Sequence, residues 1–515
     1  MPTNLDVAIV GAGHNGLVAA AYLARAGLSV EIFERRPFVG GAAITEQLWP
    51  GFRFSTCAHM VHSFHPRILR DLTLVERGLK VCPRDAGIVM RADGSYFGPA
   101  DADSPRNLSF EGRLTSEERD GLRAYEGFRH DLCGLFAPYR LGPPPSLEQL
   151  RRRAAGTPAA ESLERALENR LWALHDAFLP TQDLRDRYAC EGAAVGRNPL
   201  GLILASSSGS RAEEATGTAP PYGYVQGGLS SLSRLLAEAA VESGATIHVN
   251  RGAQSFLVED GRVIGVRLDD GEEVRSRAVV SNLDPKRTFL SMIDPADLAD
   301  DFRRRVEKLI TNVSCYKLLA VIDELPEWTA WDGDAHRPHA GSVIIGGASR
   351  AEVAAAHDDC EAGRPPRAAI ISLSVPSVSD PTVTQGGCHT ASAWIFPAPA
   401  RLAEGSWEDV RDRVADRLID QITEYAPNFR DSIRHFKLRT PLDLERDNGL
   451  TDGCIWHVQH AGEQLFWNRP LPELSAYRAP LRGLYLCGAG QHPGGEVTGM
   501  PGHNAAHELL DDWSH

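Results

Sequence analysis

The first 34 residues constrain the fold more than any other part of the chain. Val7-Ala8-Ile9-Val10 is a short apolar run that leads straight into Gly11-Ala12-Gly13-His14-Asn15-Gly16. An alanine-rich stretch reads as a helix from Leu17 to Ala26, with Gly27 as its stop. A second strand, Leu28 to Phe33, then ends at Glu34. This is a complete βαβ start, and its three glycines serve different ends. The first permits a tight turn, the second lets a pyrophosphate approach the backbone, and the third lets helix and strand pack closely. The helix N-terminus adds unpaired N–H groups and a positive dipole end. Glu34, 18 residues beyond Gly16, is placed to accept a hydrogen bond from a ribose hydroxyl. Its carboxylate would repel a 2′-phosphate, which weighs against NADP.

Length and charge remove other classes. A chain of 515 residues implies about two to four domains. With 54 basic and 68 acidic residues the formal charge is −14, which disfavours nucleic-acid binding and whole-surface attachment to anionic membranes. No apolar run has the length of a membrane span, so no transmembrane segment is expected, although peripheral membrane contact stays open. The N-terminus lacks the regions of a signal peptide. Nine cysteines are scattered without a C-x-x-C pair, so neither a disulfide framework nor a zinc site is expected, and a reducing cytoplasm fits best.

Beyond residue 66 the pattern becomes irregular. Leu150 to Arg170 reads as helical and Ser206 to Gly223 as a mobile loop. A helix is expected at Ser230 to Ser243. Strands are expected at Thr246 to Val249, Ser255 to Val258, Val263 to Leu268 and Val274 to Val280. Further strands fall at Tyr316 to Ile322, Ser342 to Ile345, Ala368 to Val375 and Ser392 to Phe396. A helix at Trp407 to Tyr425 has Ser406 as its N-cap. The last strand, Gly483 to Cys487, enters a second glycine-rich turn and a helix from about Gly499. This order implies a nucleotide domain assembled from three separated pieces, with a second domain inserted in two places.

The segment after Glu34 carries the pair Gly40-Gly41. The chain end reads Leu484-Tyr485-Leu486-Cys487-Gly488-Ala489-Gly490, then Pro493-Gly494-Gly495, Gly499 and Gly502. Together with Gln226-Gly227-Gly228, Val279 to Pro285, Gln464 and Arg469-Pro470, these stretches resemble FAD-dependent oxidoreductases of the glutathione-reductase-like superfamily. More narrowly they resemble the phytoene desaturase and carotenoid isomerase relatives, and most of all the pyridine nucleotide-disulphide oxidoreductase domain-containing protein 2 group. The resemblance implies an α/β fold: a Rossmann FAD-binding domain of residues 1–70, 222–288 and 470–515. An inserted α+β substrate domain of residues 71–221 and 289–469 would be built on a mostly antiparallel sheet.

It also implies roles for single residues. Gly11, Gly13 and Gly16 would hold the pyrophosphate of a non-covalent FAD, Glu34 the adenosine ribose, and Arg36 the phosphate or ribose edge. Gly40, Gly41 and Ala42 would pass close to the cofactor. Ala253 would meet the adenine, Gly488 would lie near the second phosphate, and Val497, Thr498 and Gly499 would face the flavin's pyrimidine edge. A helix N-terminus there would stabilise the charge that arrives on reduction. Four departures narrow the reading. Ala42 replaces the arginine of amine oxidases, the first helix lacks a cysteine pair, and no second complete GxGxxG exists for NAD(P)H. Glu496 stands where relatives keep a small residue; it either opposes the reduced flavin or points to substrate or solvent.

On the substrate side, His59, His62 and His65 recur at spacing three. On a helix they would share one face, but no acidic or cysteine partner sits at ligand spacing, so no metal is expected and a loop beneath the flavin is favoured. His59, His457 and His492 are the candidate proton acceptors, because histidine titrates near neutral pH. The leading expectation is a dehydrogenase or desaturase moving a hydride from a C–H of a sizeable, largely apolar substrate to flavin N5, with oxygen or a quinone as acceptor. Its rivals are a redox-neutral flavin-dependent isomerase of a polyene-like substrate and a FAD-stabilised interaction protein.

Overall fold

In a computed structural model of the chain, residues 5–99, 103–189, 191, 199–201, 222–460 and 464–514 are described. A five-stranded, all-parallel sheet runs in the order Leu484–Leu486, Ala278–Ser281, Val7–Val10, Val30–Phe33, Thr246–His248. Its inner strands Val7–Val10 and Ala278–Ser281 are buried throughout because both faces are covered, whereas the edge strand Thr246–His248 is partly exposed. Side chains alternate between the faces. Val7, Ile9, Val30, Ile32 and Val280 pack on the helices His14–Arg25, Leu229–Glu242 and Met500–Trp513. Ala8, Val10, Phe33, Val279 and Leu484 pack on a three-stranded antiparallel sheet of Ala253–Glu259, Arg262–Leu268 and Glu273–Arg275.

A seven-stranded sheet forms the second layer, in the order Ile433–Arg439, Val313–Ile322, His389–Pro399, Ile371–Ser374, Val343–Ile345, Ile88–Met90, Tyr96–Phe97. All its pairs are antiparallel except Val343–Ile345 with Ile88–Met90. Tyr316, Leu318, Ala320 and Ile322 face the helix Trp407–Tyr425, which starts at a capping box of Ser406 and Asp409. The alternate residues of the same strand, Lys317 among them, face back towards residues 55–57. A third core, in a lobe of helices, holds Tyr125, Phe128, Leu132 and Phe466. Among the described residues no helix is long and apolar enough to cross a membrane.

Several local expectations need correction. The first helix starts at His14, three residues earlier than read, because extended Gly13 is already its N-cap. Leu150 to Arg170 is two helices, Leu147–Ala154 and Pro158–Glu168. Gly156 (φ +75°) turns the chain between them, and Pro158 suits a helix start better than an interior. Val274 to Val280 is also two elements, Glu273–Arg275 and Ala278–Ser281, which belong to different sheets. Most of the Ser206–Gly223 segment lies outside the described residues, but Gly223 itself begins a strand paired with Val81–Pro83.

Candidate cofactor and substrate site

The carboxyl ends of three adjacent parallel strands, Val7–Val10, Ala278–Ser281 and Leu484–Leu486, lead into Gly11, Asn282 and Gly488. In an open α/β sheet ligands bind beyond these ends. Gly11 turns at φ +94°, its N–H bonded to the Phe33 carbonyl at 2.9 Å. A Cβ on Gly16 would collide with the Gly11 carbonyl, and one on Gly13 would stand 2.7 Å from Nδ2 of Asn282. Asn282 in turn donates to the Gly11 carbonyl at 3.1 Å. The Gly40-Gly41 pair folds over this turn: Gly40 N–H donates to the Ala12 carbonyl at 2.8 Å, and a Cβ on Gly41 would lie 3.1 Å from Cα of Gly13.

Glu34 is buried. Its carboxylate accepts from Ala12 N–H and Arg36 N–H, both at 2.9 Å. Each oxygen keeps a second lone pair for another donor. The Arg36 guanidinium lies over the Phe38 ring at 4.3 Å, 3.8 Å from Glu46, and donates to the Gly41 carbonyl at 3.3 Å. Ala253 opens its strand beside Glu34, because Arg251 N–H bonds the Glu34 carbonyl at 2.9 Å. Ala42 is half-buried, and its carbonyl accepts from Ala58 N–H.

The second glycine turn completes the cradle. A Cβ on Gly488 would stand 2.9 Å from Nδ1 of His457 and 3.0 Å from the Leu283 carbonyl. Glu496 (φ +75°), Val497 (φ +56°) and Gly499 (φ +72°) are left-handed and lead into the helix Met500–Trp513. Thr498 is buried and its hydroxyl oxygen accepts from Met500 N–H. A Cβ on Gly502 would strike the Asn15 carbonyl, so this helix crosses the glycine-loop helix at backbone contact. Two buried side-chain atoms at the first helix start, His14 Nε2 and Asn15 Oδ1, have no hydrogen-bond partner among the described residues. A backbone cradle with no room for side chains, a helix N-terminus and an acidic acceptor together fit a dinucleotide.

The three candidate proton acceptors do not come together. His59 lines a cavity of about 390 Å3 with Tyr224 and Thr390. His492 lines another, of about 430 Å3, with Phe136, Phe466, Pro493, Glu496 and Met500. His457 packs beneath Gly488 and Gly490. Burial pushes His457 down to about 3 and His492 down to about 4, so both are neutral near pH 7. His492 donates through Nε2 to the Tyr139 carbonyl at 2.8 Å, leaving Nδ1 as an acceptor. The 59–65 histidines lie in a loop rather than on one helix; His65 caps the short helix Pro66–Asp71 through its ring.

Three features of the site escaped the sequence. Glu496 reaches His62, with Oε2 2.7 Å from Nε2, while its Oε1 accepts from Trp456 Nε1–H at 2.9 Å. Spacing could not show this, although Glu496 itself was conspicuous beside two glycines. Arg469, fully buried, donates to the carbonyls of Trp456, Val458, Ala489, Gln459 and Gln464. Arg469-Pro470 was visible only as part of a motif, without this role. Lys317, buried in the seven-stranded sheet, donates to the Ser55 and Cys57 carbonyls at 2.7 and 2.9 Å; burial pulls it down to about 8.

The chain is similar to known proteins along nearly its whole length. Residues 9–73 match the family model described as NAD(P)-binding Rossmann-like domain. The rat protein named pyridine nucleotide-disulfide oxidoreductase domain-containing protein 2 is 34% identical, over 98% of this chain and 93% of its own length. A limonene dehydrogenase component from Castellaniella defragrans is 26% identical, over 98% and 94%. Among solved structures, an oxidoreductase from Methanosarcina mazei superposes with a TM-score of 0.64 at 16% identity, covering 98% of this chain and all of that one.

Proposed function

This chain belongs to the pyridine nucleotide-disulfide oxidoreductase domain-containing protein 2 family, a group of oxidoreductases related to the phytoene desaturases, and from that premise we propose that it binds FAD non-covalently and oxidises a sizeable, largely apolar organic substrate. The flavin would supply hydride acceptance at N5 from a substrate C–H; the protein supplies orientation, water exclusion and charge stabilisation. The observation that carries this reading is the cradle at the three strand ends, where Gly11, Gly13, Gly40, Gly41 and Gly488 leave backbone alone to meet a ligand.

Within it, the His14–Arg25 helix start faces the pyrophosphate, and Glu34 uses its remaining lone pairs on the ribose hydroxyls. Arg36 and Ala253 would flank the adenosine half, and Gly40, Gly41 and Ala42 would pass close to the cofactor with their backbone. Val497, Thr498 and Gly499 bring the start of the Met500–Trp513 helix to the ring edge that becomes negative on reduction. Residues 1–70, 222–288 and 470–515 serve the cofactor, and residues 71–221 and 289–469 serve the substrate. One relative is named for limonene, a hydrocarbon, which supports an apolar substrate.

The test begins with purified protein, which should be yellow and release intact FAD on heat or acid. Mass spectrometry of any co-purified organic ligand then supplies the substrate for anaerobic mixing. Bleaching of the oxidised flavin supports the dehydrogenase. A requirement for pre-reduced flavin points to the isomerase, and a covalent flavin or NAD alone refutes the proposal.

A further inference from the structure

The pocket beside the second glycine turn, about 430 Å3 when the space open to solvent is included, has walls of Phe136, Phe466, Pro493 and Met500, yet Glu496 stands among them. A carboxylate in such surroundings is costly unless donors hold it. Two do: Trp456 through its indole N–H and His62 through Nε2. A carboxylate has about four acceptor positions, so two remain after these bonds, and 29% of the Glu496 side chain is still accessible. Burial lowers the basicity of His62 and Glu496 opposes that shift, with Arg84 lowering it further. His62 Nε2 stands 2.7 Å from Glu496 Oε2, and Arg140 lies in the same cavity wall.

Backbone geometry makes the choice of residue informative. At φ +75° glycine is the unstrained residue, and Val497 at φ +56° follows in the same region. A glutamate held there serves something other than the turn.

We propose that Glu496 is a specificity-determining residue that anchors an O–H or N–H donor on an otherwise apolar substrate. This deepens the oxidoreductase reading above and rests on it. A pure hydrocarbon filling the cavity would expel water and leave the free lone pairs of Glu496 unpaired. An alcohol or amine of the same skeleton would satisfy one of them, which gives a preference of roughly tenfold to a hundredfold.

The experiment is calorimetric titration of the purified holoprotein with geraniol, geranylamine and myrcene, repeated on Glu496→Gly and Glu496→Gln. The glycine variant suits the left-handed backbone, so its fold should survive, as flavin content and melting temperature will show. Wild-type protein should bind geraniol and geranylamine roughly tenfold to a hundredfold more tightly than myrcene. Glu496→Gly should bring all three within about threefold of one another. Glu496→Gln should keep part of the geraniol preference and lose the geranylamine preference, because the amide accepts a hydrogen bond but carries no charge. Equal affinities in the wild type, a preference that survives in Glu496→Gly, or no binding of any probe would each overturn the proposal. Protein that lacks FAD yet shows the Glu496-dependent preference would refute the cofactor reading and leave this one standing.

Discussion

In the glycine cradle most of the working groups are backbone atoms, whereas around the 430 Å3 cavity they are side chains drawn from separate segments: His62, the end of the Ser116–Phe136 helix, Trp456, His460 and Phe466, and His492 to Met500. The cradle is specified by what is missing. Wherever Gly13, Gly16, Gly41 or Gly488 stands, a Cβ would meet another atom at 3.1 Å or less. The cavity is specified by what is paired, and each pair spans a long stretch of chain. Local steric requirements thus define one region, and cooperative packing defines the other.

Removing the device that holds the cavity segments should have the largest effect. Arg469→Leu strips the donor from five buried carbonyls, those of Trp456, Val458, Gln459, Gln464 and Ala489. Burial lowers Arg469 to about 9, so it is still cationic at neutral pH. With each unsatisfied buried group costing about 1–3 kcal/mol, chemical denaturation should report a loss of at least about 3 kcal/mol. A loss below about 1 kcal/mol would mean that these segments are held by packing alone.

A smaller effect is expected in the cradle. Glu34→Ala should weaken FAD binding roughly tenfold to a hundredfold, as read by flavin fluorescence during titration of the apoprotein. Part of that loss comes from the glycine turn itself, because Glu34 also accepts from Ala12 N–H. An unchanged dissociation constant would show that the cradle binds through its backbone alone.

The most gradual effect concerns the seam between the two layers. The Lys317 pKa is depressed from 10.5 to about 8 by burial, so above pH 8 the unfolded chain binds a proton that the folded chain does not. Stability should therefore rise with pH between 8 and 10.5, by at most about 1.4 kcal/mol per unit. Below pH 8 the lysine should weigh most heavily against the fold. The wild-type minus Lys317→Met difference in denaturation free energy should carry this slope. A flat difference would mean that Lys317 is charged, or neutral, in both states.

Taken alone, the sequence determined the Rossmann-like start of the chain. The order strand, glycine turn, helix, strand is local, and left-handed backbone at Gly11 or Gly499 leaves a visible choice of residue. The apolar inner strands followed from burial on both faces. Boundaries failed where local signals were even-handed: Val274 to Val280 read as one strand, and only the pairing partners separate Glu273–Arg275 from Ala278–Ser281 into two sheets. Tertiary structure alone decided that Lys317 faces residues 55–57, that Arg469 reaches five carbonyls, and that His62 meets Glu496. The histidines at 59, 62 and 65 lie in a loop, the reading favoured over a shared helical face, and their spacing did not show which groups each would meet. Backbone conformation is set largely within a few residues and leaves its mark on composition. A contact between distant side chains depends on how whole layers pack, and no single residue records it.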